Sequence, residues 1–220
     1  MLFNHVKLPS LDLKQITNEE TGKRFYVTPE GNKYPSVTTM LSHFNKDVIM
    51  EWRRKVGHEQ ANKISKAASS RGTKLHSVIE KYLANEDMDV DNPMILEMFK
   101  SVMPYLNNID KIHLQEKYLY SDHLRLAGTV DCIAEYKGKL NVIDFKTSSK
   151  PKREEWIENY FVQAAAYAIM FEERYRIPVP RITILIAVEN DYPQVFTKKR
   201  DDFAGKLISM RDEYERSTKD

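Results

Sequence analysis

Hydrophobic positions recur with two different periods along the 220 residues of the chain, and the switches between the periods predict the order of its elements. Helical spacing predicts helices over residues 37–44, 47–85, 93–105, 154–175 and 201–216. Ser36 is the predicted N-cap of the first helix, and Gly57 and the stretch 69–72 are predicted to interrupt the second. In the helix over 154–175, Trp156 and Tyr160 belong to the predicted apolar face.

Alternating or continuous apolar runs predict the strands. They lie at residues 24–28, 111–121, 126–136, 139–147 and 181–188, with 193–198 as an expected partner of the last. The order of elements predicts an α/β fold, in which a mixed central β-sheet is flanked by helices and preceded by a helical N-terminal region. We expect one domain over 1–220, with a helical region at 36–85, a sheet core at 111–198 and the helix 154–175 within that core.

The turn between the second and third strands of the core is most simply placed at Lys137-Gly138. Tyr136 then faces Lys139, and the same register places Asp131 opposite Asp144. Directly opposed residues have Cβ atoms about 4.5–5.5 Å apart and point to one face of the sheet. Lys-Gly is a weaker turn signal than Asn-Gly, so the register depends on this turn being the one used.

Two opposed carboxylates repel each other unless positive charge lies between them. Lys146 shares the face of Asp144 and could neutralise the pair, or one carboxylate could face solvent. The apolar neighbours of both acids indicate a buried sheet, in which unpaired carboxylates are costly. This geometry favours a divalent cation, Mg²⁺ or Mn²⁺, held by Asp131 and Asp144.

The net charge of +2 conceals an uneven distribution. The segment 52–74 holds seven basic residues and one acid, which leaves the rest of the chain acidic, and a second basic cluster spans 146–153. Such runs are most often solvated faces, but two of them beside carboxylates favour a polyanionic partner. The single cysteine, Cys132, excludes a disulfide framework and an iron–sulfur cluster bound by this chain alone. No apolar run approaches the ~20 residues of a membrane helix or the pattern of a signal peptide, so we expect a soluble intracellular protein without a membrane partner.

Four short motifs resemble one enzyme family. GTVD at 128–131, followed by DFK at 144–146, resembles the catalytic core of the PD-(D/E)XK nuclease superfamily. RGTKLHSVIE at 71–80 and QAAAY at 163–167 resemble helix motifs of its RecB-like branch. YPSVTTML at 34–41 is similar to a segment in relatives of mitochondrial genome maintenance exonuclease and their phage-encoded counterparts. The matches follow the order of the family across residues 34–170.

The resemblance implies roles for individual residues. Asp131 and Asp144 would be metal ligands, joined by the backbone carbonyl of Phe145 and by His76, and Lys146 would activate water and stabilise the scissile phosphate. A lone histidine on a helix is more often a hydrogen-bonded structural group, which is the alternative for His76. Supporting roles are implied for Glu80 (as a partner of the His76 ring), Glu116, Gln163 and Tyr167. The cofactor would be Mg²⁺ or Mn²⁺, and the four cysteines of the iron–sulfur members are absent.

The implied activity is that of a metal-dependent DNA exonuclease that prefers single strands with a free end, which would thread through an arch at 36–85. The alternatives are a structure-specific or flap endonuclease and a non-catalytic DNA-binding module of the same fold. DNA contacts are expected from Ser36, Trp52, Arg53, Arg54, Lys55, Arg71, Lys74 and Lys150. No P-loop motif is present, so unwinding would need a separate helicase or other replication or recombination proteins. The expected location is the cytoplasm of a bacterial or phage-infected cell.

Overall fold

A computed structural model describes residues 2–218. The helices are α1 (Val37–Phe44), α2 (Lys46–Val56), α3 (His58–Leu83), α4 (Pro93–Leu106), α5 (Glu158–Tyr175) and α6 (Asp201–Thr218). The strands are β1 (Lys14–Thr17), β2 (Arg24–Val27), β3 (Lys33–Pro35), β4 (Ile109–Ser121), β5 (Leu126–Tyr136), β6 (Lys139–Ser148), β7 (Arg181–Val188) and β8 (Gln194–Lys199). The helices predicted at 37–44, 93–105 and 201–216 and the four main strands of the core are confirmed within a few residues.

The central sheet has five strands in the order β4-β5-β6-β7-β8. Only β6 and β7 are parallel, and α5 provides the crossover between them, as a parallel connection requires. The other neighbouring strands pair in antiparallel fashion, so the predicted mixed sheet is confirmed. A separate three-stranded antiparallel sheet, β1-β2-β3, precedes α1. Of its strands only β2 was predicted, because β1 is exposed at every position and carries no alternation of apolar residues.

Each face of the central sheet has its own hydrophobic core. One core joins α1, α5 and α6 to one face, where Val142 and Ile184 project. The other joins α3 and α4 to the opposite face, where Ile143 and Leu185 project. Because successive residues of β6 and β7 enter opposite cores, the sheet is buried on both sides, as expected for its continuous apolar runs.

Two predictions about the helices are wrong. The stretch 69–72 does not interrupt α3, which is continuous from His58 to Leu83 and follows α2 directly after Gly57. A Cβ atom on Gly72 would lie 3.8 Å from Thr147 Oγ1, which is ordinary van der Waals contact between α3 and the end of β6. Trp156 does not join the apolar face of α5. It lies in a 3₁₀ turn with 64% of its surface exposed, and the neighbouring Ile157 fills the core instead.

The predicted hairpin register is confirmed from Tyr136 opposite Lys139 to Cys132 opposite Ile143. The ladder ends there, so the expected backbone pairing of Asp131 with Asp144 is absent from it. The side-chain alternation of β5 inverts at this point, since Val130 packs in one core and Cys132, two residues later, packs in the other. On the neighbouring strand, Glu116 has a left-handed backbone (φ 47°). The twist at Asp131 and Glu116 therefore redirects both carboxylates, which counting along regular strands does not foresee.

Within residues 2–218, no helix combines the length and the apolar character that a membrane crossing requires.

Candidate active site

Strand β6 presents the first part of the site, where Asp144 and Lys146 project from the same face. The side chain of Asp144 is 3% exposed, and Lys146 Nζ lies 2.5 Å from Asp144 Oδ2. Burial raises the pKa of Asp144 to about 6, although the positive charge of Lys146 opposes this shift. The Lys146 ammonium also lies 5.2 Å from the centroid of the Tyr160 ring, over its face. Lys146 is therefore held between a carboxylate and an aromatic ring, with 21% of its side chain open to solvent.

Asp131 is fixed by the backbone of β6. Its Oδ2 accepts a hydrogen bond of 2.8 Å from the backbone N–H of Phe145. The Asp131 side chain thus replaces the backbone carbonyl that would have accepted this N–H in a continued ladder. Strands β5 and β6 therefore remain hydrogen-bonded here although their backbone ladder has ended.

His76 reaches the Asp131 carboxylate from the C-terminal half of α3, which packs against the sheet and buries Leu75 and Ile79 on either side of it. Its Nε2 lies 2.7 Å from the Phe145 carbonyl oxygen, and its Nδ1 lies 3.8 Å from both Glu116 Oε1 and Asp131 Oδ2. Burial lowers the pKa of His76, but the surrounding carboxylates outweigh it and raise that pKa to about 9. In either protonation state Nε2–H can donate to the Phe145 carbonyl, and in the neutral ring Nδ1 is the nitrogen that faces Glu116 and Asp131.

The predicted pairing of the His76 ring with Glu80 is wrong. The ring faces Glu116 and Asp131, and within the described residues no ion pair joins it to Glu80. Glu80 lines the same cleft as Glu116 one helical turn beyond His76. Burial and the charge of Glu116 raise the pKa of Glu80. The implied supporting role of Glu116 understates its position, since its carboxylate belongs to the central group of the site.

The donor atoms of the site fit a divalent cation. One ligand atom each from His76, Glu116 and Asp131 lies within 4.8 Å of the other two. The Phe145 carbonyl adjoins His76, and Asp144 lies on the same strand as that carbonyl. Carboxylate and carbonyl oxygens with one imidazole are the donor set of Mg²⁺ or Mn²⁺. The five ligand candidates come from α3, β4, β5 and β6, so the site depends on the tertiary fold.

Gln163 and Tyr167 form the wall of the site on α5. Gln163 Nε2 lies 3.5 Å from the Tyr167 hydroxyl, and both residues border the cavity that Asp131 faces. Tyr167 lies against the backbone of β5 so closely that a Cβ atom on Gly128 would be 2.7 Å from its hydroxyl oxygen. The glycine of the GTVD motif therefore admits the tyrosine of the QAAAY motif.

The residues expected to contact DNA differ in their exposure to solvent. Arg54, Lys55, Lys74 and Lys150 are exposed, while Trp52 and Arg53 are half-buried and Arg53 donates to Asn62. Ser36 is buried, and its hydroxyl accepts the Thr39 N–H as the predicted N-cap of α1.

Arg71, another residue expected to contact DNA, is largely buried. Its side chain is 12% exposed, and its NH1 lies 3.4 Å from Glu189 Oε2 at the end of β7. Arg71 therefore connects α3 to the sheet. Among the residues expected to contact DNA, the accessible basic side chains are those of Arg54, Lys55, Lys74 and Lys150.

Comparisons with known proteins agree with this architecture. The family model described as the PD-(D/E)XK nuclease superfamily matches residues 93–216. The chain is 27% identical over 178 residues to mitochondrial genome maintenance exonuclease 1 of Homo sapiens, which covers 74% of this chain and 51% of that protein. It is 31% identical over 160 residues to the Xenopus tropicalis protein of the same name, covering 70% and 44% respectively. The chain thus spans about half the length of these curated relatives.

A crystal structure of a candidate exonuclease from Eubacterium rectale aligns with a TM-score of 0.44 and 11% identity, over 65% of this chain and 64% of that one. The family match covers more than half of the chain and includes Asp131, Asp144 and Lys146. The chain therefore belongs to the PD-(D/E)XK nuclease superfamily.

Proposed function

We propose that this protein is a metal-dependent DNA exonuclease that prefers single strands with a free end. The observation that carries the proposal is the group of His76, Glu116 and Asp131, whose ligand atoms lie within 4.8 Å of one another, together with the Asp144–Lys146 pair of β6, whose charges act on His76. Family membership supports hydrolysis of a phosphodiester bond.

The ligands of the proposed ion are Asp131, Asp144, the Phe145 carbonyl and His76, with Glu116 beside them. An ion bound there would lower the pKa of a water molecule and offset the charge of the phosphate. The imidazole of His76 is a nitrogen ligand, which supports a preference for Mn²⁺ over Mg²⁺ in vitro.

The protein side chains supply orientation and charge. The hydrogen bond from Phe145 N–H fixes the carboxylate of Asp131, so this ligand is oriented before any substrate arrives. Burial lowers the pKa of Lys146, but Asp144 and Asp131 outweigh it and raise that pKa, which keeps the ammonium charged. A charged Lys146 can attract the phosphate and stabilise the negative charge that develops during hydrolysis.

The preference for single strands is supported by the basic arm, which we define as α2 and the first half of α3 (residues 46–74). Helix α2 buries none of its residues, and it exposes Met50 one turn before Arg54. Apolar and basic side chains on one exposed surface suit a single strand, whose bases stack while its phosphates pair with cations. The arm continues along α3 directly to His76, so a strand that follows it would reach the carboxylates.

The test uses end-labelled DNA in three forms, with Mg²⁺, Mn²⁺ or EDTA. Linear single strands should be degraded with either ion and not in EDTA, while blunt duplexes should be poor substrates and closed single-stranded circles should resist. Cutting of circles as fast as linear strands would replace the exonuclease by the endonuclease alternative. The absence of cleavage with every form and ion, together with tight DNA binding, would favour a non-catalytic module.

A further inference from the structure

A second cavity adjoins the carboxylates. Its volume is about 260 Å³, and Asp131, Glu116, Arg24 and Thr38 are among the residues that line it. Of the described residues that line it, Arg24 alone carries a full positive charge. We propose that this cavity holds the DNA phosphate next to the one that is cut, and that Arg24 binds it. This inference rests on the proposed nuclease function.

Arg24 is held in place by the turn that leads into α1. Its carbonyl oxygen accepts a hydrogen bond of 3.0 Å from Ser36 N–H, and its NH2 donates to Thr38 Oγ1 at 3.0 Å. The residue is nevertheless exposed, so the guanidinium can still reach a ligand. A guanidinium offers five N–H donors, and the contact with Thr38 uses only part of this capacity. Arg24 is thus oriented in advance and retains donors for an anion.

The cavity is lined by charges of both signs, and this combination selects the ligand. Asp131 and Glu116 would repel an anion on their own, but a bound divalent cation would offset their charge. The phosphate that is cut would then lie at the cation, and the next phosphate along the strand would be neutralised by Arg24. Arginine binds phosphate oxygens with paired N–H donors, which is the geometry that a phosphodiester offers. The positive end of α1 is not the anchor, because the Ser36 hydroxyl already accepts the Thr39 N–H there.

Other polar groups along the cavity support a nucleotide linkage as its occupant. The Tyr26 hydroxyl and Thr129 Oγ1 lie 3.2 Å apart on one wall, and Gln163 forms part of another. Such neutral groups can contact a sugar or a phosphate without adding charge. The volume equals that of roughly nine water molecules at ~30 Å³ each, which is ample for one phosphodiester group with part of its sugar.

The first experiment compares Arg24→Ala with Lys23→Ala, a matched control that removes one positive charge from the adjacent exposed residue. Binding of a fluorescent single strand is measured in EDTA and in Ca²⁺ across a salt series, and cleavage is measured with Mn²⁺. Arg24→Ala should weaken binding in Ca²⁺ roughly 10- to 100-fold, as for a lost hydrogen bond to a charged group. It should also reduce the slope of log K against log salt by about 0.7, the value for one phosphate contact. Lys23→Ala should change neither quantity. Equal effects of the two variants would overturn the inference.

The second experiment identifies the phosphate itself. A neutral methylphosphonate is placed at one linkage at a time along the strand, and each strand is tested with wild-type protein and with Arg24→Gln, whose thermal melt verifies folding. At one linkage adjacent to the cut, the substitution should weaken wild-type binding as much as the mutation does. The two changes together should cost no more than either alone, since both remove the same contact. Additive losses at every linkage would show that Arg24 binds no single phosphate. Wild-type protein that binds these strands but never cleaves them would refute the proposed function and leave the Arg24 contact to be judged by binding alone.

Discussion

The two parts of the protein that surround the site are held in opposite ways. Asp144 and Phe145 on β6 are almost completely buried, with helices packed on both faces of their sheet. The basic arm has the reverse character, because α2 contributes no buried residue and Val48 is 68% exposed. Side chains that must keep a fixed geometry lie on the buried part. The difference indicates that cleavage of the phosphodiester bond depends on the sheet and that binding of the DNA strand depends on the basic arm.

The largest effects should come from the carboxylates on the sheet. Asp131→Asn and Asp144→Asn should each reduce cleavage of linear single strands by about 10³-fold or more, since several kcal/mol of transition-state stabilisation depend on the ion. Their stabilities without metal should differ, as a thermal melt in EDTA would show. In the Asp131→Asn variant, the new amide oxygen would still accept the Phe145 N–H. The Asp144→Asn variant would instead leave the Lys146 ammonium without its closest charge partner, at a cost of about 1–3 kcal/mol.

Lys146→Ala should separate rate from metal binding. The ammonium is proposed to act on the charge that develops in the transition state, so cleavage should fall by roughly 10²–10³-fold. Calorimetry with Mn²⁺ should show an affinity that is unchanged or higher, because a positive charge beside Asp144 has been removed. A collapse of metal affinity in this variant would make Lys146 a structural counter-charge.

A pair of glycine substitutions tests how tightly the sheet part is packed. Gly128→Ala would place a Cβ atom 2.7 Å from the Tyr167 hydroxyl and should destabilise the protein by about 1–3 kcal/mol. The matched control is Gly205→Ala in α6, where no heavy atom lies within 4 Å of the new Cβ and helix propensity should add about 0.5–1 kcal/mol of stability. Urea titrations measure both. Equal changes for the two variants would show that the Gly128–Tyr167 contact is not tight.

The smallest effect is expected from single changes in the basic arm. Within residues 2–218, Arg54 takes part in no ion pair, whereas the neighbouring Lys55 lies 2.6 Å from Glu51. Arg54→Ala should reduce the salt dependence of single-strand binding by up to about 0.7 and leave the melting temperature unchanged. Lys55→Ala is the comparison for a cation that is already paired. A drop in melting temperature with Arg54→Ala would contradict the view that this part of the basic arm contributes to DNA binding and not to the stability of the fold.

The same difference between the parts explains what the sequence could predict. The period of two along β6 placed Asp144 and Lys146 on one face, and the turn at Lys137-Gly138 set the register as far as Cys132. These inferences use regular backbone. Glu116 belongs to the metal group because its own backbone in β4 is left-handed, which turns its side chain out of the regular alternation. No rule of alternation anticipates that twist.

Arg24 was missed for a different reason. It borders the same cavity as the carboxylates because β2 and the segment Ser36–Thr39 lie against the central sheet, and that packing joins segments about a hundred residues apart in the chain. A lone arginine on a short strand carries no sequence signal for such a contact. Arg71 shows the converse, because its place in a basic run gave no sign of its ion pair with Glu189.

The central claim is that the ion held by Asp131 and its neighbours is the one that cleaves DNA. The most direct measurement is a Mn²⁺ titration of wild type and Asp131→Asn, in which heat of binding and cleavage of an end-labelled single strand are followed on the same preparations. The account predicts that wild-type cleavage rises in proportion to metal occupancy, and that Asp131→Asn loses both. Wild-type cleavage that persists in EDTA, or Mn²⁺-dependent cleavage by Asp131→Asn at the wild-type rate, would contradict it.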